Sequence, residues 1–217
     1  MHIIEDRAAW EETYRTVWLD HFQKTGETDW KIYPRPTNHQ PISGPAIDLS
    51  QSRLMLITSA GSYLKDQQDP FDAANPLGDY TLRLYPAQTD FAALAYAHEH
   101  YDHAAVNADP QVLVPLRHLE QLVQAGVIGK LAPMVVSFSG YLPDAARVED
   151  ELLPAILAQA QAQGAQGPCW CLPDRSVRSP WGCLLAVWKS TGSLPRSPAG
   201  TPGGRAFRCR HAPLSPG

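Results

Sequence analysis

Apolar residues recur along the chain with two different periods, and each period marks out its own elements. From residue 5 to 24, Trp10, Tyr14, Val17, Trp18 and Phe22 return at three- and four-residue spacing between charged positions, which predicts an amphipathic helix. The next stretch, KIYPRPTNHQPISGPAID, is broken by four prolines and predicts an extended connector laid over a surface. In RLMLITSAGSYL the run from Leu54 to Thr58 reads as a buried strand that ends in the small residues Ser59, Ala60 and Gly61. YTLRLYP, residues 80–86, alternates as a second strand. Between these two strands, KDQQDPFDAANPLGD is a polar loop long enough to suggest function rather than mere connection. A helix is expected from about Leu116 to Ala125, with Pro115 at its start, Leu116, Leu119, Leu122 and Val123 on its apolar face, and Gly126 at its end. APMVVSFSGY gives a third strand. Residues 147–163 give a further helix, with Val148, Leu152, Ile156 and Ala160 in step and Gly164 as its stop. Another apolar strand is due after Gly164, and the pattern supplies no convincing one. The expected fold class is therefore α/β: a mostly parallel sheet with flanking helices, truncated, followed by a disordered tail.

Composition changes this picture at one place. The chain has 217 residues, 44% of them hydrophobic, and a formal charge of -4, so it can bury a core. That balance favours neither nucleic acid nor a membrane surface as a partner. It has no run of about 18 apolar residues, and the opening MHIIEDRAAWEE carries early acids unlike a signal peptide. A cytoplasmic protein is expected. Yet Cys169, Cys171, Cys183 and Cys209, all the cysteines of the chain, fall after residue 166. Residues 167–217 also hold seven Lys or Arg against one acid, Asp174, with eight of the 20 prolines and seven of the 15 glycines. The chain accordingly divides into an N-terminal helix and proline-rich connector (1–49), an incomplete α/β domain (50–166) and a basic tail (167–217).

Candidate chemistry gathers first at HEHYDH, residues 98–103, which matches letter for letter the His-x-His-x-Asp-His zinc pattern of the metallo-β-lactamase superfamily. Such a site also needs a third His and a bridging Asp on later loops, since zinc takes four or more ligands and a water must be held. Only His118 and His211 follow, one inside a predicted helix and the other in the tail. A metal-dependent hydrolase using His98, His100, Asp102 and His103 thus stays an alternative, and the leading expectation is that no metal binds. The same segment can be a solvated turn, or can present His98, His100 and Asp102 to an organic substrate or a partner subunit. The strand-to-glycine turn at Gly61 is the kind of place where α/β proteins open a ligand crevice.

Several stretches together resemble one family. LITSAGSYLKDQQDPFD, GDYTLRLYP, HEHYDHAAVNADPQVLVPLRHLEQLVQAGVIGKLAP and VSFSGYLP are similar, in order and spacing, to the selenoprotein B subunit family of glycine, sarcosine, betaine and D-proline reductases. The resemblance covers roughly residues 50–166. It implies an oxidoreductase subunit that helps to cleave a small amino-acid or betaine-like substrate reductively. A selenocysteine or cysteine, anionic near neutral pH, attacks the α-carbon, and a pyruvoyl-containing partner subunit can hold the amine. On this reading Gly61, Lys65 and Asp66 are substrate-binding candidates, His98, His100 and Asp102 are substrate-side polar groups, and the chain itself carries no cofactor. A non-catalytic relative that binds a small ligand or a partner remains a further alternative.

The chain departs from the family pattern where the nucleophile should follow. Proline-type members place it in a (Sec/Cys)-Pro-x-Cys motif after a Val-Pro strand end; here the sequence reads GPCWCLPDRSVRSPWGCLLAVWKS. Arg, Pro, Gly, Ser, Cys and Trp enrichment is what GC-rich coding DNA yields when read out of frame. Taking the third base of each codon with the first two of the next, Cys169-Trp170 forces Leu, Trp170-Cys171 forces Val, Trp181-Gly182 forces Gly and Trp188-Lys189 forces Glu. Compatible codons elsewhere permit Leu-Leu-Val-Pro-Ala-z-Pro-Val-Cys-Pro-Gln-Ser-Val-Gly-Leu. The residue z straddles Pro173 and Asp174 and must be encoded NGA, that is Arg, Gly or the selenocysteine codon UGA. The expectation is that residues from about 167 onward are a frameshifted reading, and that this polypeptide lacks its catalytic centre.

Overall fold

The computed structural model of the chain describes residues 4–37, 39, 47–99, 101 and 103–171. The strand β1 (Arg53–Thr58) is the axis of the sheet. Leu54, Met55, Leu56 and Ile57 are all buried, as a strand covered on both faces requires. Along one edge lie β5 (Lys130–Leu131) and β6 (Met134–Ser137), both parallel to β1, and the register advances by two residues across Ala132 and Pro133. Along the other edge β7 (Gly167–Cys171) runs parallel from Leu54↔Gly167 to Thr58↔Cys171. The strand β3 (Arg83–Pro86) closes the far side of β6 in antiparallel pairing. The order is thus β3-β6-β1-β7, parallel except at one edge. A separate antiparallel ribbon joins β2 (Ser62–Leu64) to β4 (Leu94–Tyr96).

Alternation along the strands sorts the side chains into two cores. Met55, Ile57 and Val136 pack on one side against Trp10, Tyr14 and Trp18 of the N-terminal helical run, which consists of α1 (Arg7–Thr13), a wider π-turn (Tyr14–Leu19) and α2 (Asp20–Thr25). The same core takes Leu152 and Ile156 from α5 (Ala145–Arg147), its π-helical continuation Val148–Leu152, and α6 (Leu153–Ala162). Leu54, Leu56, Tyr85 and Val135 face the other way, onto Val106 of α3 (His103–Ala108) and Leu116 and Leu119 of α4 (Leu116–Gln124). Helices therefore cover both faces of a mostly parallel sheet, the expected α/β class.

Three details differ from the reading of the sequence. Residues 167–171, assigned there to the tail, form β7 with Trp170 packed against the Met55 side and Cys169 and Cys171 against the Leu56 side. One Trp and two partly buried thiols supply the apolar surface that the pattern alone did not credit. The strand expected from residue 80 begins only at Arg83, because the Asp79 carboxylate captures the Thr81 N–H at 2.9 Å and the Tyr80 hydroxyl accepts from Asp144 N at 2.7 Å. Finally, β2, β4 and α3 are too short to display a period. The tail beyond 171 lies outside the described residues.

Candidate functional site

The carboxyl ends of β1, β6 and β7 come together, and β4 delivers HEHYDH to the same place. After β1 the chain turns through Ser59, Ala60 and Gly61, with Gly61 at φ +64. A Cβ on Gly61 would collide with the Ala97 carbonyl oxygen, so both the left-handed backbone and the close approach require glycine. Gly61 N donates to Phe138 O at 3.0 Å, and Ala97 N donates to Gly61 O at 2.9 Å, tying the end of β1 to the ends of β6 and β4. On the other side Ser59 N donates to Cys171 O at 3.1 Å. In open α/β sheets the region outside the carboxyl ends of the strands is where ligands bind.

The His98 side chain turns inward here and is only 5% exposed. Its imidazole lies over Gly140, where a Cβ would come within 2.6 Å of His98 Nε2 and 3.1 Å of Ser59 O. Its other neighbour is the Tyr101 ring at 4.5 Å, on which His103 stacks at 4.9 Å. The Tyr101 hydroxyl donates to Ala60 O at 2.9 Å, and burial pushes its pKa well above the ordinary phenol value, so it stays protonated and a donor. His103 Nε2 lies 2.6 Å from His98 O; a carbonyl only accepts, so that nitrogen carries the proton. Beneath this cluster Thr58 Oγ1 donates to Leu113 O at 2.9 Å and accepts from Ala60 N at 3.2 Å. Buried Ser62 meets the Tyr85 hydroxyl at 2.8 Å and donates to Ser137 Oγ at 2.9 Å.

Of the site residues expected from sequence, Gly61 and His98 stand together. Lys65 and Asp66 do not join them: both are exposed, in the turn at the opposite end of β2, where Lys65 N donates to Ala93 O at 3.1 Å. His100 and Asp102 lie outside the described residues. Among the described residues no three His, Cys, Asp or Glu side chains group to hold a metal ion, and the Nε2 of His103 is spent on a backbone carbonyl. The loop following Lys65 is fastened rather than loose. Arg83 donates to Asp69 O at 2.8 Å and Pro70 O at 3.2 Å and lies 4.4 Å over the ring of buried Phe71. Gln68 donates to Leu84 O at 2.8 Å, and the Tyr141 hydroxyl to Pro76 O at 3.0 Å. Gly140, Tyr101 and Arg83 were missed in the sequence. A signal existed for Gly140, since the third strand, like the first, ends in Ser and Gly.

The profile of the family described as Glycine/sarcosine/betaine reductase selenoprotein B matches residues 23–160. The chain belongs to that family. It is 27% identical over 130 residues to the D-proline reductase subunit gamma of Acetoanaerobium sticklandii, covering 59% of this chain and 52% of that one. It is 33% identical over 120 residues to the sarcosine reductase complex component B subunit beta of Peptoclostridium acidaminophilum, 53% of this chain and 27% of the relative. The glycine reductase complex component B subunit gamma of Symbiobacterium thermophilum is 33% identical over 111 residues, 49% of this chain and 25% of the relative. The chain thus matches about half the length of the first relative and about a quarter of the other two. No solved structure matches. Among the described residues, no helix is long and apolar enough to cross a membrane.

Proposed function

We propose that this chain is a selenoprotein B-type subunit of an amino-acid reductase complex, and that its substrate side is the crevice over Gly61, His98 and Gly140. The observation that carries the reading is the convergence of three parallel carboxyl ends at these residues, with β7 handing the chain on from Cys171 beside Ser59. A segment leaving β7 there would bring a selenolate or thiolate to the crevice. The nucleophile forms a bond to the α-carbon of a glycine, sarcosine, betaine or D-proline-type substrate, the C–N bond breaks, and the amine takes its electron pair and a proton. A dithiol then attacks the selenium or sulfur, the bond to carbon breaks as that carbon takes up a proton, and the second thiol releases the nucleophile as the dithiol closes to a disulfide. The substrate is small and amino-acid or betaine-like, and the expected companion is a pyruvoyl-bearing partner subunit, in keeping with relatives that are named as subunits of reductase complexes.

As it stands, the chain does not carry the nucleophile motif after β7. The displaced reading frame permits it, and one structural feature favours that frame. The Trp170 indole N–H is buried and finds no hydrogen-bond partner among the described residues, in a strand slot where the other frame supplies Leu and Val. An unpaired buried donor costs about 1–3 kcal/mol, and an aliphatic side chain has none to leave unpaired. The test is dithiol-dependent turnover of D-proline, glycine, sarcosine and betaine in the presence of the partner subunit. The present chain should give none and the frame-restored chain should turn over at least one of them. Turnover by the present chain, or inactivity of a folded, assembled frame-restored chain on all four, would overturn the reading.

A further inference from the structure

We propose that Gly140 and Tyr101 are positioning residues that hold the His98 imidazole at the carboxyl ends of β1 and β6. This rests on reading the crevice as the substrate side, but its geometry stands by itself. The His98 ring occupies the volume that any side chain at 140 would need, with Nε2 2.6 Å from the position of a Cβ there. The backbone around this contact has no room to yield, because Gly61 N is bonded to Phe138 O and Phe138 N to Thr58 O at 3.0 and 3.1 Å. Ser59 O, 3.1 Å from the same position, blocks the other escape. A methyl group at 140 must therefore move the imidazole rather than the strands.

Tyr101 closes the remaining side. Its ring lies 4.5 Å from that of His98, and its hydroxyl anchors it to Ala60 O within the β1 turn. The segment that carries His98 is also threaded past Gly61, whose missing side chain makes room for Ala97 O. Two glycines and one tyrosine thus fix one histidine where the three strands end. An imidazole held between Gly140 at its Nε2 and the tilted Tyr101 ring is preorganised for the substrate carboxylate or leaving amine, which a histidine on an open turn is not. His98 acts on the substrate; Gly140 and Tyr101 act through His98.

The ring proton on Cε1 of His98, assigned by its loss in His98→Gln, reports the geometry in the chain as it exists and without substrate. In Gly140→Ala this resonance should shift as the imidazole leaves the Tyr101 face, with far-UV circular dichroism and the other histidine resonances unchanged. In Tyr101→Leu it should lose the ring-current shift, while Tyr101→Phe, which keeps the ring, should restore it. An unmoved His98 resonance in a folded Gly140→Ala chain would overturn the proposal; should that variant fail to fold, an unmoved resonance in Tyr101→Leu would do the same. Failure of the functional reading looks different. The spectroscopic shifts would appear as expected, yet His98→Gln in the frame-restored chain would turn over substrate as fast as its parent.

Discussion

Single residues carry most of the constraint at the carboxyl edge. Gly61 has a left-handed backbone and a neighbouring carbonyl where its side chain would be. Left-handed alanine costs about 1–2 kcal/mol on conformation alone, and the collision adds to it. Gly61→Ala should therefore lower the unfolding free energy by at least that amount in a urea titration; an unchanged midpoint would show the turn to be more accommodating than its geometry. Trp170 poses the opposite case. Replacing it by Phe keeps an aromatic ring in the slot and removes the buried N–H that has no partner among the described residues. Losing the unpaired donor offsets the packing given up by the smaller ring, so Trp170→Phe should leave Tm within a few degrees of the parent. A larger drop would show that the packing of the indole outweighs the cost of its N–H.

At the scale of elements, the 65–79 loop is the best example of structure that periodicity does not announce. Its charged and proline-rich sequence reads as a long polar connection, yet Arg83, Gln68 and Tyr141 bind it to the sheet and Phe71 is buried beneath a guanidinium. Burial alone would raise the Asp79 carboxyl. Hydrogen bonds from the Thr81 hydroxyl and from the N–H groups of Asp72 and Thr81, with Arg83 nearby, prevail and hold it below the usual carboxylate value. A depressed folded-state pKa stabilises above the unfolded value of about 3.9 and loses that contribution as pH falls through the folded one. Pepsin cleavage within residues 65–79 should consequently accelerate as pH is lowered below about 4 in the parent chain. Arg83→Ala should be cut readily across the whole acid range, and equal resistance of the two chains would contradict the clamp. Long periodic elements were legible: the N-terminal run, the Leu116 helix and the residue 147–163 helix all form near their expected bounds, and so does β1. Legibility failed where length or context decided, as in β2, β4 and α3, and in β3, whose start is set by the Asp79 side chain.

For the whole molecule, the sheet's parallel centre and its helices on both faces followed from alternation of strand and helix, and the family followed from quoted stretches that the profile match then covered. The site was only half legible. Gly61 and His98 were found because a strand-to-glycine turn and a histidine-rich segment are visible in one dimension. Their meeting with Gly140 was not, since it depends on β6 lying next to β1 and β4 returning beside the turn. Lys65 and Asp66, adjacent to Gly61 in sequence, are carried away from it by the three residues of β2. Residues 167–171, assigned to the tail in the sequence, pair with β1 from Leu54 to Thr58. The claim at the centre of the account is that the chain leaves its frame near this strand, taking the nucleophile with it. The nucleotide sequence across codons 160–217 tests this most directly. UGA is expected across the codons of Pro173 and Asp174 in the displaced frame, followed by codons for Pro-Val-Cys. An arginine or glycine codon at that position, with no such motif after it, would contradict it.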